Sequence, residues 1–295
     1  MSKILITGGS GFIGSALIKE LSKDNHSILS IDDYSASNGS NHVRSPRVEY
    51  HRCSTNQILD DAMCYKFNPD IVYHLGEYSR IVQSFDDIRK CHQSNSSGTF
   101  NVLEYCREKQ AKLVYGGSSS KFGNNGEDEN LSPYAWLKAK NVELIKNYYE
   151  WWGLDYAIAY FYNAYGNGQI DSGHMATVIG IFQEQYKAGL PLTVVYPGDK
   201  QRDFTHIDDI ISGLILVGND GFGDGYMLGT GKSYSILEIA EAFNHPIKIV
   251  PERKGERQFG QANLTQMQEQ FGWSAKQDVI EYIRSWVKEQ KAVQV

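Results

Sequence analysis

A short apolar run, Ile4-Leu5-Ile6-Thr7, leads straight into Gly8-Gly9-Ser10-Gly11-Phe12-Ile13-Gly14. A strand, a glycine-rich turn and an apolar helix in that order leave few folds open, because the turn is made almost of backbone alone. Gly8 takes turn conformations that a Cβ resists. Gly11 lets the chain approach a pyrophosphate, and Gly14 lets the helix pack close to the strand. The open N–H groups at the helix start then face the anion.

The helix expected over 12–22 ends in Lys23-Asp24-Asn25-His26, and Ser27-Ile28-Leu29-Ser30-Ile31 reads as a second strand. It stops at Asp32-Asp33, about 20 residues past the glycines, where a carboxylate accepts the hydroxyls of an adenosine ribose and repels a 2′-phosphate. No arginine follows until Arg44. The pattern favours NAD over NADP, with Asp32 or its neighbour Asp33 as the ribose ligand. The competing reading is a glycine-rich loop that holds nothing.

At 295 residues, 41% apolar and 22% charged, the chain has the balance of an ordinary globular protein with a full core. A net charge of −6 gives no electrostatic footprint for nucleic acid or an anionic membrane. Cys53, Cys64, Cys91 and Cys106 form no Cys-x-x-Cys pair and no zinc-finger spacing, so no metal is expected. They read as reduced, buried thiols of a cytoplasmic protein. The first strand is expected from residue 3, which leaves no room for a signal peptide, and no run approaches 18 apolar residues.

Strands and helices alternate through the first half. Strands are expected over 3–7, 27–31, 47–51, 70–75, 111–116 and 155–162, and helices over 12–22, 56–67, 85–109 and 133–152. That order predicts an α/β fold, a doubly wound parallel sheet covered on both faces. Beyond about residue 164 the pattern loosens. Helices are expected over 175–188, 207–218, 235–243, 264–271 and 277–291, with strands over 192–196 and near 225–228. The expected division is a dinucleotide-binding domain over 1–164 and a smaller substrate-binding lobe over 165–295, with some exchange of segments. The second lobe should close over the carboxyl ends of the strands, where ligands of open α/β sheets sit.

Tyr134-Ala135-Trp136-Leu137-Lys138 opens the helix that follows the strand over 111–116. A Tyr and a Lys at i and i+4 share one helix face. A free phenol titrates near 10, and a neighbouring ammonium favours its ionised form. The pair can therefore act as a general base toward a hydroxyl group when a hydride acceptor stands beside it. The competing reading is a surface pair. The preceding strand ends in Ser118-Ser119-Ser120, either a polar turn capping the strand or a cluster that binds a reacting alcohol or carbonyl.

In order along the chain stand Thr7-Gly8-Gly9-x-Gly11-x-x-Gly14, Asp32, His74-Leu75-Gly76, Asn95-Ser96-Ser97-Gly98-Thr99, the serines before Phe122-Gly123, Tyr134 with Lys138, Asn163-Ala164-Tyr165-Gly166, and Arg202-Asp203-Phe204-Thr205-His206-Ile207-Asp208-Asp209. Together they resemble the nucleotide-sugar epimerase/dehydratase family of extended short-chain dehydrogenases/reductases, over nearly the whole chain. The resemblance implies a Rossmann domain binding NAD through the glycine loop, with Phe12, Ile13, Leu75, Gly76, Asn95 and Phe161 also lining the cofactor. It implies Ser118 and Tyr134 as catalytic groups, and Lys138 as partner of Tyr134 and ligand of the nicotinamide ribose. Asn163, Ser119 and Arg202 fall on substrate positions, with Arg202 gripping the diphosphate of a nucleotide-diphosphate sugar. Arg253 is either a second phosphate clamp or part of a solvated loop.

Three departures from the family pattern stand out. The Asp-Glu pair of the 4,6-dehydratases is replaced by Ser119 and Ser120, which disfavours elimination of water. His51-Arg52-Cys53 stands where an Asp is usual after the third strand. Gly76-Glu77-Tyr78-Ser79-Arg80 replaces the end of the usual His-Leu-Ala-Ala, so that Glu77, Ser79 and Arg80 either shape an atypical sugar pocket or form a self-satisfied salt bridge. The resemblance implies NAD-dependent epimerisation at C4 through a 4-keto sugar, in surface polysaccharide biosynthesis. Alternatives are a C4 dehydrogenase or ketoreductase of a nucleotide-linked hexose or heptose, and a non-catalytic NAD-binding sensor. It also implies a homodimer through the helices over 85–109 and 133–152. Phe100, Val102, Leu103, Trp151 and Trp152 are candidate contacts, or equally part of a core.

Overall fold

The structure, a computed structural model, describes residues 1–37, 39–122, 129–171, 173, 176–252, 255 and 257–293. Strand β1 (Lys3–Thr7) feeds helix α1 (Phe12–Leu21), which returns to β2 (Ser27–Asp32) and β3 (Val48–Arg52). Helix α2 (Ala62–Lys66) leads to β4 (Ile71–His74). Helix α3 (Ile88–His92), a π-helical turn over Gln93–Gly98 and α4 (Thr99–Lys109) lead to β5 (Lys112–Ser118), and α5 (Pro133–Trp152) leads to β6 (Tyr156–Phe161). The remainder runs β7 (Asn163–Tyr165), α6 (Val178–Lys187), β8 (Leu192–Val195), β9 (Gln201–His206), α7 (Ile207–Asp220), β10 (Gly223–Leu228), β11 (Ser233–Ser235), α8 (Ile236–Ala242), β12 (Ile247–Val250), α9 (Thr265–Phe271) and α10 (Val279–Val293).

Seven strands form one parallel sheet in the order β10-β6-β5-β4-β1-β2-β3. Ile4, Leu5 and Ile6 of β1 are all buried, because a central parallel strand is covered on both faces and so reads as an unbroken apolar run. Each such side chain contributes about 1.5–3 kcal/mol. The strand order reverses between β1 and β4, which opens a crevice at their carboxyl ends.

Helix α5 starts at Ser132, whose hydroxyl accepts the N–H of Ala135, with Pro133 in its first turn. It stops at Gly153, in the left-handed region at φ +71°. These local signals hold Tyr134 at the very start of the helix, against Cys91 and Leu137.

The helix expected over 85–109 is corrected to three pieces. Asn95 turns inward and both ends of its amide bond the backbone of Tyr78. The π-helical turn accommodates it, and Gly98 in that turn packs directly on Thr55. The helix expected over 56–67 begins only at Ala62, where Asp61 caps it through the N–H groups of Met63 and Cys64. Strands β7, β9, β11 and β12 were not foreseen.

Segments beyond residue 164 pack in both lobes. Strand β10 adds to β6 at the edge of the main sheet. Ile207, Ile210, Leu214 and Val217 of α7 share one core with Leu17 and Ile18 of α1, and Met267 of α9 joins them. The second lobe keeps a separate core around Phe182, Phe204, Phe243 and Ile283. Val102 and Leu103, offered as dimer contacts, lie in the core under the other face of the sheet.

Asp61 gives the fold a definite acid response. Burial penalises its charge, but hydrogen bonds from His51 and from the Cys64 N–H outweigh that and hold the carboxyl down to about 2. A carboxyl depressed in the folded state stabilises above its unfolded value, near 3.9, and that stabilisation is lost as pH falls through the folded value. Asp61→Ala should cost about 1 kcal/mol at neutral pH through the lost cap. The gap in melting temperature to the parent should close as pH falls from about 4 to about 2. A gap that stays constant with pH would remove the charge from the account.

Candidate active site

The glycine loop is closed by backbone contacts that leave no room for side chains. Gly8 sits at φ +71°, and a Cβ on it would stand 2.7 Å from Gly76 Cα. A Cβ on Gly14 would overlap the carbonyl oxygen of Gly8 and come within 2.8 Å of Gly9 Cα. Gly11 begins α1 without a side-chain cap, so the first N–H groups of the helix are open toward the crevice beside Phe12 and Ile13.

Asp32 turns toward this loop. Its Oδ2 accepts the N–H of Ser10 at 3.0 Å and its Oδ1 that of Tyr34 at 2.8 Å. Asp33 is exposed and accepts the N–H of Ser35, closing its own turn. Of the two acids, Asp32 is the one next to the phosphate cradle.

At the end of β4 the chain carries Leu75, Gly76 and Glu77. Thr7 Oγ1 accepts the N–H groups of both Leu75 and Gly76, pinning this segment to β1. Glu77 is buried and forms an ion pair with Lys138, which also donates to the carbonyl of Gly116 at 2.6 Å. The partner of Glu77 is thus the helix lysine and not a residue of its own loop. Ser79 is exposed, and Arg80 donates to its carbonyl while lying within electrostatic reach of Tyr134.

Asn95 has zero exposure, and both ends of its amide bond the backbone of Tyr78, so it anchors the segment over 76–80. Phe161 ends β6 in register with Ser118, and Gly116 packs between Phe161 and Leu75.

Ser118 ends β5, with its hydroxyl 2.8 Å from that of Ser120. Tyr134 is nearly buried, and its N–H meets the Ser84 hydroxyl at 3.3 Å. The serine thus ends β5, the tyrosine starts α5, and the lysine one turn on bonds the backbone of β5 at Gly116, two residues before the serine. The two serines in place of the dehydratase acids are both buried, and Ser119 is held by Arg257, from Nη2 to its Oγ at 2.9 Å and from Nη1 to its carbonyl.

From the second lobe come Asn163 at the start of β7 and Arg202 on β9, the latter largely buried. Arg253 lies outside the described residues, as does Gly123. The buried arginine at Ser119 is instead Arg257, also placed over the Tyr162 ring at 5.9 Å. Sequence reasoning missed it, since nothing local separates it from its basic neighbours. It also passed over Asp203, fully buried and accepting from Thr230, Gly231 and Ala262, which fastens β9 beneath Arg202.

Among the described residues, His51, Cys53 and Asp61 bring ligand-type atoms within 4.8 Å of one another. Asp61 uses Oδ1 to cap α2 and Oδ2 to bond His51 at 2.8 Å, so hydrogen bonding accounts for the group.

The profile of the NAD dependent epimerase/dehydratase family matches residues 4–229. The chain belongs to that family. A UDP-glucose 4-epimerase of Mycolicibacterium smegmatis is 26% identical over 306 residues, covering 97% of this chain and 97% of that protein. An ADP-L-glycero-D-manno-heptose-6-epimerase of Brachyspira hyodysenteriae is 29% identical over 266 residues, covering 83% of this chain and 81% of that protein. The solved UDP-glucose 4-epimerase of Thermus thermophilus in complex with NAD is 26% identical with a TM-score of 0.86, over 97% of this chain and 98% of that one. The cofactor of the family is NAD, and the cradle fits it. Gly8, Gly14 and Gly76 let backbone close on backbone where any Cβ would collide, which keeps the turn bare, the helix N–H groups are open, and a carboxylate stands at the end of β2. The two relatives are named for different sugar carbons, so the carbon attacked is a property of each protein's own pocket.

Proposed function

We propose that this protein epimerises the sugar of a nucleotide-diphosphate sugar at C4. What supports the proposal is the placing of Ser118 at the end of β5 and of Tyr134 and Lys138 at the start of α5, with Lys138 bonded to Gly116 of β5, together with buried serines and no carboxylate at 119 and 120. NAD, when bound, supplies the hydride acceptor and donor at the sugar carbon. Gly8, Gly11 and Gly14 with the N–H groups of α1 hold its pyrophosphate, Asp32 its adenosine ribose, and Lys138 its second ribose.

Tyr134 takes the proton of the C4 hydroxyl, and Ser118 hydrogen-bonds the same oxygen. Arg202 grips the diphosphate, which suits the fork of a guanidinium, while Asn163 contacts the sugar nucleotide. The diphosphate stays anchored while the 4-keto sugar turns its other carbonyl face toward the hydride donor, and Tyr134 returns the proton to the C4 oxygen. Removal of water needs an acid and a base beside the serine, and neither 119 nor 120 provides one.

A panel of nucleotide sugars, with products read by mass and by NMR, tests this. An isomer of unchanged mass supports epimerisation. A product lighter by two hydrogens would mean a dehydrogenase, and no conversion alongside tight NAD binding would mean a sensor.

A homodimer is the assembly that the surface of α3 and α5 favours. Phe85, Ile88 and Trp136 line one apolar groove there, each more than 40% exposed. Light scattering should give twice the chain mass, and Trp136→Glu should give the monomer; an unchanged mass in the variant would place the interface elsewhere. Four free, buried cysteines fit a reducing, cytoplasmic setting. Among the described residues no helix is long and apolar enough to cross a membrane.

A further inference from the structure

Glu77 stands two residues after Leu75, at a position where the family's usual His-Leu-Ala-Ala has no charge. Its carboxylate accepts from Lys138 Nζ, from Thr99 Oγ1 at 2.6 Å, from Tyr115 OH at 3.0 Å and from Asn141 Nδ2 at 2.8 Å. The direction of these bonds follows from counting protons. Thr7 Oγ1 already accepts two backbone N–H groups, so it donates its own proton to His74 Nδ1 at 2.7 Å. Burial holds His74 down to about 4, against Glu77 and with Lys138, so the ring is neutral. It then donates from Nε2 to Thr99 Oγ1 at 3.0 Å, and Thr99 donates onward to Glu77. Donors from α4, β5 and α5 thus point at the Glu77 carboxylate, which is surrounded by hydrogen bonds it accepts.

A lysine buried as Lys138 is would lose its charge readily without a counter-ion, since desolvation favours the neutral amine. We propose that Glu77 is the positioning residue of Lys138, holding its ammonium charged and fixed so that the donor not used by Glu77 and Gly116 serves the cofactor ribose. The proposal rests on the reading of Lys138 as a cofactor ligand beside Tyr134. The titratable groups facing the pair are His74 from β4, Cys91 from α3, Tyr115 from β5 and Tyr134 from α5. His74 stays neutral above about 4, burial lifts the Cys91 thiol to about 11, and burial with Glu77 holds the Tyr115 phenol well above its ordinary range.

The test is NAD affinity by calorimetry from about pH 6 to about pH 9.5, for the parent, Glu77→Gln, Lys138→Met and the double variant. The dissociation constant of Glu77→Gln, relative to the parent, should rise at least about tenfold across that range as the unpaired ammonium loses its proton. Lys138→Met should be weak and flat with pH, and Glu77→Gln should add nothing on that background. A ratio independent of pH, or an equal loss on both backgrounds, would overturn the proposal, because a merely structural role predicts that result. Should Glu77→Gln fail to fold, the parent supplies the readout. The Nζ resonance of Lys138, identified by its loss in Lys138→Met, should show a cross-peak to the Glu77 side chain; its absence would refute the pairing. None of these readouts needs turnover, so loss of the catalytic reading through an active Tyr134→Phe would leave them interpretable.

Discussion

Tyr134→Phe will bind NAD as the parent does and lose at least about a hundredfold in turnover, within the usual contribution of a general acid–base group. The ring stays in its nearly buried place against Cys91 and Leu137, because only the hydroxyl is removed. The helix start does not depend on that hydroxyl either, since Ser132 and Pro133 set it. Stability should therefore hardly change, and the loss should lie in kcat. The measurement is single-turnover conversion of the substrate identified from the panel, together with calorimetric NAD binding. A variant with near-parent turnover would take Tyr134 out of the chemistry. A variant that no longer binds NAD would mean that the phenol mainly supports the cofactor.

Gly14→Ala should abolish the cradle. A methyl group at this position collides with backbone, the Gly8 carbonyl and the Gly9 Cα, and neither can swing aside as a side-chain end could. Either the turn over 8–11 opens or α1 moves off β1, and both misdirect the N–H groups that meet the pyrophosphate. Overpacking of this kind costs about 1–3 kcal/mol in stability. The NAD dissociation constant should rise at least about a hundredfold, equivalent to about 2.7 kcal/mol. Calorimetry checks the affinity and thermal unfolding the stability. The control is Gly153→Ala, where a Cβ meets nothing within 4 Å, so only the strain of its left-handed backbone remains and NAD binding should be untouched. Parent-like affinity in Gly14→Ala would mean that the loop is not the phosphate site.

Much of this was legible in the chain because the responsible physics is local. The apolar run into glycines announces a buried parallel strand and a bare turn, and the Ser-Pro before Tyr134 announces a helix start. The second lobe was less legible. Strand β9 carries Arg202 and Asp203 where a buried strand is expected to be apolar, and Asp203 is tolerated only because loops 27 and 59 residues away bring it donors. The bonds of Asn95 to the backbone of Tyr78, 17 residues earlier, leave no local trace in the chain.

By itself the amino-acid sequence determined the strand–turn–helix that can hold a dinucleotide, the acid at the end of β2, and the shared helix face of Tyr134 and Lys138. These depend on neighbours within a few residues, whose geometry the backbone dictates. Only the tertiary structure decided that residues 223–228 complete the first sheet, that Glu77 meets Lys138 across 61 positions and that Arg257 reaches Ser119 across 138. Such partners are chosen by the packing of whole elements, which places a buried charge beside whatever group can satisfy it.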